Sequence, residues 1–281
     1  MHHRRAAGLA LAACLGLSAS LAAQWRAYPD RDVPRKSDGS VNLEAPAPKT
    51  PDGKPDFSGI WQNAWFVNGR VTPLPVSPPG EPPAATFADV FANFTGELPL
   101  QPWAAQLKAA RKEQNSKDNP DAHCLPMGLM QFHMHPQPRK VLQTRDVIAI
   151  LYEGNSGVRQ IFIDGRPLPD ADAQPWWYGY STGHWDGETL VIETAGFRDE
   201  GWLDIYGSPL TDKAKMTERW RRLSYGSMQI DITIDDPKAY TKPFSVRVHH
   251  RIAVDGPQID SELIEFICNE NNKAPQLMVG K

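Results

Sequence analysis

Thr182-Gly183-His184-Trp185-Asp186-Gly187-Glu188-Thr189-Leu190-Val191-Ile192-Glu193 sets two alternating runs on either side of an Asp-Gly pair. Alternation at period two marks a half-buried strand, and Asp-Gly favours the backbone of a tight hairpin turn. The same grammar recurs outward in both directions. Upstream, Val141–Glu153 reads as a long strand, Asn155-Ser156-Gly157 as a turn and Arg159–Asp164 as the return strand. Downstream, Thr217–Leu223 and Met228–Ile234 flank Ser224-Tyr225-Gly226, and Phe244–Val254 and Leu263–Cys268 follow. With Phe57–Gln62 as a first strand, eight or nine strands are joined mostly by tight turns. Alternating βα units are absent, which argues against a parallel α/β sheet. A mainly β fold is expected, a single antiparallel barrel or strongly curled sheet, because closure hides the edges of so many strands.

Helix is scarce. Pro102-Trp103-Ala104-Ala105-Gln106-Leu107 opens the one convincing helix, running to about Gln114, with Pro102 suited to its first turn. Its single apolar stripe predicts packing on the outside of a sheet. Prolines recur from Val71 to Pro102, predicting a long loop across the domain with a short helix around Phe87–Phe94. Residues 24–56 hold Pro29, Pro34, Pro46, Pro48, Pro51 and Pro55, the composition of an extended tether. The first 23 residues read as a signal peptide: a basic start at Arg4-Arg5, an uncharged Ala/Leu run, and small residues near Ala23 for cleavage. Twin-arginine and lipoprotein variants (Arg4-Arg5; Leu11-Ala12-Ala13-Cys14) fit less well. Residues 57–281 form the expected single domain, in a periplasmic or secreted protein.

The formal net charge is −3, and loss of Arg4 and Arg5 with the leader makes it −5. A mildly acidic chain without a basic block offers no footing for nucleic acid. No later stretch reaches the roughly 18 apolar residues of a membrane span. Nine Trp and 26 Pro suit a β domain with long loops. Cys14 leaves with the leader, so Cys124 and Cys268 remain as an even pair, favouring a disulfide over two free thiols in an oxidising compartment. Closing so long a loop is worth about 4–5 kcal/mol in chain entropy.

Five stretches taken together carry a resemblance. They are Pro51-Asp52-Gly53-Lys54-Pro55-Asp56-Phe57-Ser58-Gly59-Ile60-Trp61, Arg159–Pro167 (RQIFIDGRP), Gly183–Thr194 (GHWDGETLVIET), Asp235–Thr241 (DDPKAYT) and Cys268–Asn271 (CNEN). They resemble a large family of secreted bacterial proteins with no assigned activity, over nearly all of the mature chain. Gly59-x-Trp61 is also similar to the first-strand motif of lipocalins and their calycin relatives. That likeness implies a Trp closing one end of a small barrel under a late-strand arginine, Arg221 or Arg251 here.

Several constellations are candidates for chemistry. Gly179-Tyr180-Ser181-Thr182-Gly183 matches a nucleophile elbow, but a hairpin follows where a helix is required, so two glycines bending a strand is the plainer reading. His133 and His135 share a face if they lie on a strand, with His123, His249 or His250 as further nitrogen donors; without a carboxylate at diagnostic spacing, no metal site is assigned. Glu153 and Arg159 face each other across a short turn, either a cross-strand ion pair or an acid–base group at a barrel rim. Asp164 and Arg166 flank Gly165 and either bind a polar group or tie the loop. Glu193 and Glu218 lie within β runs, and an inward carboxylate in an apolar cavity has its pKa raised. Trp176, Trp177, Tyr178 and Tyr180 are either core or a stacking platform.

The expectation is an exported barrel that binds a small, partly apolar, aromatic or sugar-like molecule. The aromatic cluster holds it, and Arg159 or Arg166 anchors its polar end. The alternative is a lyase, isomerase or hydrolase without an organic cofactor, using Glu153 or Asp164 on a substrate in the same cavity. An envelope scaffold without ligand is the third reading.

Overall fold

The computed structural model describes residues 33–67, 70–73, 76–170, 172–254, 263–269 and 273. The leader and the start of the tether lie outside them. Within the described residues thirteen strands form: β1 (Gly59–Asn63), β2 (Phe66–Val67), β3 (Arg70–Val71), β4 (Arg139–Gln143), β5 (Val147–Tyr152), β6 (Val158–Phe162), β7 (Tyr180–Asp186), β8 (Thr189–Ala195), β9 (Gly201–Trp202), β10 (Pro209–Leu210), β11 (Lys215–Arg222), β12 (Ser227–Asp235) and β13 (Phe244–Ile252). Among the described residues two α-helices accompany them, α1 (Pro102–Glu113) and α2 (Leu129–Met134).

Nine strands close a barrel in the order β1-β13-β12-β11-β8-β7-β6-β5-β4, with β4 returning to β1. An odd number of strands cannot alternate in direction all the way round a ring, so one parallel seam is unavoidable. It lies between β6 and β7, where Ile161 faces Ser181 and Phe162 faces Thr182. The chain must therefore double back over residues 163–179, the connection that carries Asp164, Arg166, Trp176, Trp177 and Tyr178.

Alternation places the core. On β11, Met216, Glu218, Trp220 and Arg222 are buried and face inward, and on β5 so are Ile148, Ile150 and Tyr152. The β7–β8 turn forms one residue later than Asp186-Gly187: Asp186 pairs with Thr189, leaving Gly187 and Glu188 as the two loop residues. Gly187 has φ +61°, the glycine-first arrangement of a hairpin turn whose twist matches its strands.

Five expectations need correction. Val141–Glu153 is two strands, broken at 144–146, where the Thr144 hydroxyl donates to the Val147 carbonyl and caps the turn. Phe87–Phe94 forms turns and no helix, and 263–268 forms no strand. His133 lies on α2 and His135 at its C-terminal cap, so they do not share a strand face. The tether's described part, from residue 33, is docked: Val33 and Ala45 are buried, and Leu43 and Ala45 carbonyls accept from Gly226 and Tyr225. Nor is it extended: it closes turns of its own, Arg35 bridging to Val41 and Lys49 to Pro55, so much of its backbone is paired within the segment before it meets the barrel's end.

At that end Trp61 is fully buried, its indole donating to the Phe57 carbonyl at 2.9 Å. A late-strand guanidinium does lie over it, but it is Arg222, 4.9 Å from the ring. Arg221 instead pairs outward with Asp231 at 2.8 Å. Arg222 also donates to the carbonyls of Asp56 and Tyr225, joining tether, hairpin and Trp61. Cys124 and Cys268 are disulfide-bonded, Cα atoms 5.5 Å apart.

Candidate functional site

The opposite end of the barrel is plugged. All six residues of α2 are buried. A helix this short holds only where its ends find partners, and the barrel supplies them. Asn63 Nδ2 donates to the His133 carbonyl at 2.9 Å, and the Trp65 indole donates to the Met134 carbonyl at 3.1 Å. Gln131 Nε2 donates to the Trp202 carbonyl at 3.2 Å. Phe132 stacks on Tyr152 at 4.1 Å and meets Tyr178 at 5.1 Å.

Beneath the plug lies a polar cluster from six strands and the helix. Glu218, fully buried on β11, is gripped by both Nη groups of Arg159 from β6. The Arg159 side chain is held in turn by Ser181 on β7, at 3.1 Å, and Thr194 on β8, at 3.0 Å. His133 Nε2 stands 2.5 Å from Glu218 Oε1, off the straight line of an aligned hydrogen bond, and its Nδ1 has no partner among the described residues. Burial alone would raise the Glu218 pKa, but the charge and hydrogen bonds of Arg159, with His133 close by, outweigh it and hold the carboxyl well below its usual range. The inward carboxylate is thus an ionised one, not the neutral acid expected. Burial lowers the His133 pKa more than Glu218 restores it. Arg139 on β4 and His250 on β13 complete the cluster, Nη1 to Nε2 3.0 Å.

An open apolar groove of about 930 Å³ lies against the plug. Trp65, Phe87, Phe94 and three prolines, Pro78, Pro79 and Pro83, line it, with Val71 and Val76 exposed at its lip. Arg247 of β13 fixes its Pro-rich wall, pairing with Glu81 and donating its amide to the Pro83 carbonyl at 2.8 Å. The Phe87 ring meets the His135 ring edge-on at 5.1 Å, so one wall is shared with the end of α2.

The residues singled out in the sequence are scattered. Arg159 is opposite Ile150, not Glu153, and turns into the barrel. Glu153 is buried at the rim, accepting from the Ile264 amide at 3.2 Å and from Gln137 at 3.5 Å. Asp164 and Arg166 are exposed and tied to each other by two-pronged contacts of 2.6–3.0 Å, with Tyr180 as a further acceptor at 3.3 Å. The aromatic cluster splits. Trp176 and Tyr180 stand together at 5.3 Å outside the barrel, with Tyr180 stacked on Phe162 at 5.2 Å. Trp177 lies under Arg198, and Tyr178 turns inward to Phe132. Ser181 is the second residue of β7 and points inward; it does not sit on an elbow.

Arg139 and the groove were missed, and His250 was considered only as a nitrogen donor to a metal. Arg139 and His250 carry the signal of alternation, each two residues from an inward apolar residue, Val141 and Ile252 or Val248. The groove is made by a proline-rich loop with no periodicity to read. No three His, Cys, Asp or Glu side chains converge as a metal site among the described residues, and none of their helices is long and apolar enough to cross a membrane. Neither a family model nor any curated protein matches the sequence.

Proposed function

We propose that this chain is an exported barrel protein that binds a small, largely apolar molecule in the groove beside α2. The groove itself carries the reading. Its volume of about 930 Å³ falls in the range of small-molecule sites, and its lining is mainly apolar, with three aromatic rings and three prolines in it. Its hydroxyl and amide groups are largely committed to backbone: Thr72 donates to the Ala64 carbonyl at 2.5 Å and Asn93 to the Ala84 carbonyl at 2.7 Å. An aromatic or alicyclic body therefore suits it better than a sugar. Export is supported by the leader-like first 23 residues and the disulfide, and by the likeness of five sequence stretches to secreted bacterial proteins. The filled barrel distinguishes this reading from a ligand inside the β-sheet, because Trp61, Trp220 and α2 occupy that space.

Thermal-shift titration of the mature, oxidised protein with phenolics, aromatic acids, sugars and lipids tests it. A phenyl-bearing compound should raise Tm, and Val76→Glu, at a 94% exposed lip position, should weaken that shift without altering the ligand-free Tm. Binding unaffected by Val76→Glu and Phe87→Ala would place the ligand elsewhere. A second reading, turnover without an organic cofactor, has the buried His133–Glu218 contact in its favour. Product formation from a bound compound, abolished by His133→Gln, would establish it.

A further inference from the structure

Two guanidinium groups enter the cluster beneath the plug, and one carboxylate answers them. Glu218 is fully engaged by Arg159 and His133. Arg139 is 1% exposed and has no carboxylate partner among the described residues. The titratable groups around it do not compensate its charge: burial pushes His133, His135 and His250 toward neutrality and raises the Tyr152 phenol.

Its hydrogen bonds are equally short of acceptors. His250 Nε2 lies 2.7 Å from the His133 carbonyl, which can only accept, so Nε2 carries the proton. That nitrogen then has no lone pair for Arg139 Nη1, 3.0 Å away. Nη2 reaches the His135 carbonyl only at 3.5 Å, and Nε has no partner among the described residues. The Tyr152 ring, 6.0 Å from the guanidinium, gives weak support. A buried charge in this condition is destabilising, and such groups concentrate where a ligand supplies the counter-charge.

We infer that Arg139 binds the carboxylate of the ligand whose apolar body lies in the groove. This rests on the binding reading above and names the ligand class: an aromatic or alicyclic monocarboxylic acid. The guanidinium fork matches a carboxylate two-to-two, and one negative charge balances the one uncompensated positive charge, which a phosphate dianion would exceed. His135 joins the two places. Its carbonyl is the acceptor Arg139 reaches, and its half-buried ring packs on Phe87 of the groove wall. For one ligand to reach both, the His135 ring has to turn away from Phe87, a movement that belongs to the proposal.

Calorimetric titration of the mature, oxidised protein with 3-phenylpropionate, its primary amide, acetate and inorganic phosphate tests the inference. The acid should bind at least about tenfold more tightly than the amide. Arg139→Met should bind acid and amide alike, and Arg139→Lys should keep part of the preference. Without ligand, Arg139→Met should melt no lower than the parent, because it removes an unpaired buried charge; a markedly lower Tm would make Arg139 structural and overturn the inference. Equal binding of acid and amide by the parent overturns it and leaves the groove reading standing. Binding of neither overturns both. Acetate or phosphate binding as tight as 3-phenylpropionate overturns the link to the groove.

Discussion

Glu218 shows how one residue's surroundings reverse its intrinsic tendency. Desolvation favours the neutral acid, yet the Arg159 fork and His133 keep it ionised. Glu218→Gln should therefore cost about 3–5 kcal/mol, most of it the penalty of leaving Arg159 buried without a counter-charge. Glu218→Leu combined with Arg159→Met should cost clearly less. Urea unfolding of the three proteins at pH 7 checks this, and a double variant as unstable as the single one would contradict it. The histidines act at a different pH. His135 is lowered to about 4, and His133 and His250 are lowered too, burial being the main cause in each. The unfolded chain takes up protons near pH 6.5 that the folded protein refuses, so stability falls as pH drops from about 6.5 toward 4. The depressed Glu218 contributes stability above its unfolded value and loses it only as pH falls further. Tm should thus decline between pH 7 and pH 5 while Glu218 is still ionised, and His135→Gln should flatten part of that decline. A Tm independent of pH across that interval would show the histidines are accessible to protons.

Among the elements, α2 decides what the barrel is. Gly128 precedes it, and a Cβ there would stand 2.0 Å from the Trp202 carbonyl oxygen; at Gly157 a Cβ would meet the Phe132 ring at 2.5 Å. Backbone cannot yield as a ring can, so Gly128→Ala should destabilise more than Gly157→Ala, by about 1–3 kcal/mol. Matched denaturation curves measure the order, and the reverse order would mean that the start of α2 shifts away from Trp202 more easily than the Phe132 ring moves. The hairpin strands were legible because period-two alternation and turn residues agree, as around Gly187. The break at Thr144-Arg145-Asp146 was not, since it contains neither glycine nor proline and is made by a hydroxyl cap. Leu129–Met134 could not be read as a plug because a segment buried on all sides shows no period. The arginine over Trp61 was open to parity: Glu218 inward on β11 requires Arg222 inward and sends Arg221 out. Arg159 was singled out for the wrong partner, because Glu218 lies 59 residues away and only barrel closure brings them together. The groove has no such signal, depending on how a proline-rich loop is pinned to β13.

At the scale of the whole molecule, the disulfide and the β1 seams are two independent closures. β1 joins β13 on one side and β4 on the other, so the barrel is sealed by backbone pairing whatever the state of the cysteines. The Cys124–Cys268 bond, spanning 144 positions, encloses every strand from β4 to β13 and fastens the segment 263–269 across the plugged end. That segment is also anchored by the Ile264 amide on Glu153 and the Phe266 carbonyl accepting from Ser156. Reduction should leave the barrel folded while removing a restraint on the unfolded chain worth up to about 4–5 kcal/mol. For a domain of this size that is a fall in Tm of roughly 8–20 °C. The double substitution Cys124→Ala/Cys268→Ala should match the reduced protein. Calorimetry with and without dithiothreitol, alongside near-ultraviolet circular dichroism, separates the cases. A lower Tm with an unchanged aromatic signal is expected, because the tryptophans and tyrosines are held by the barrel and α2. Loss of the aromatic signal on reduction at 25 °C would mean that the β1 seams do not hold the barrel closed without the bond.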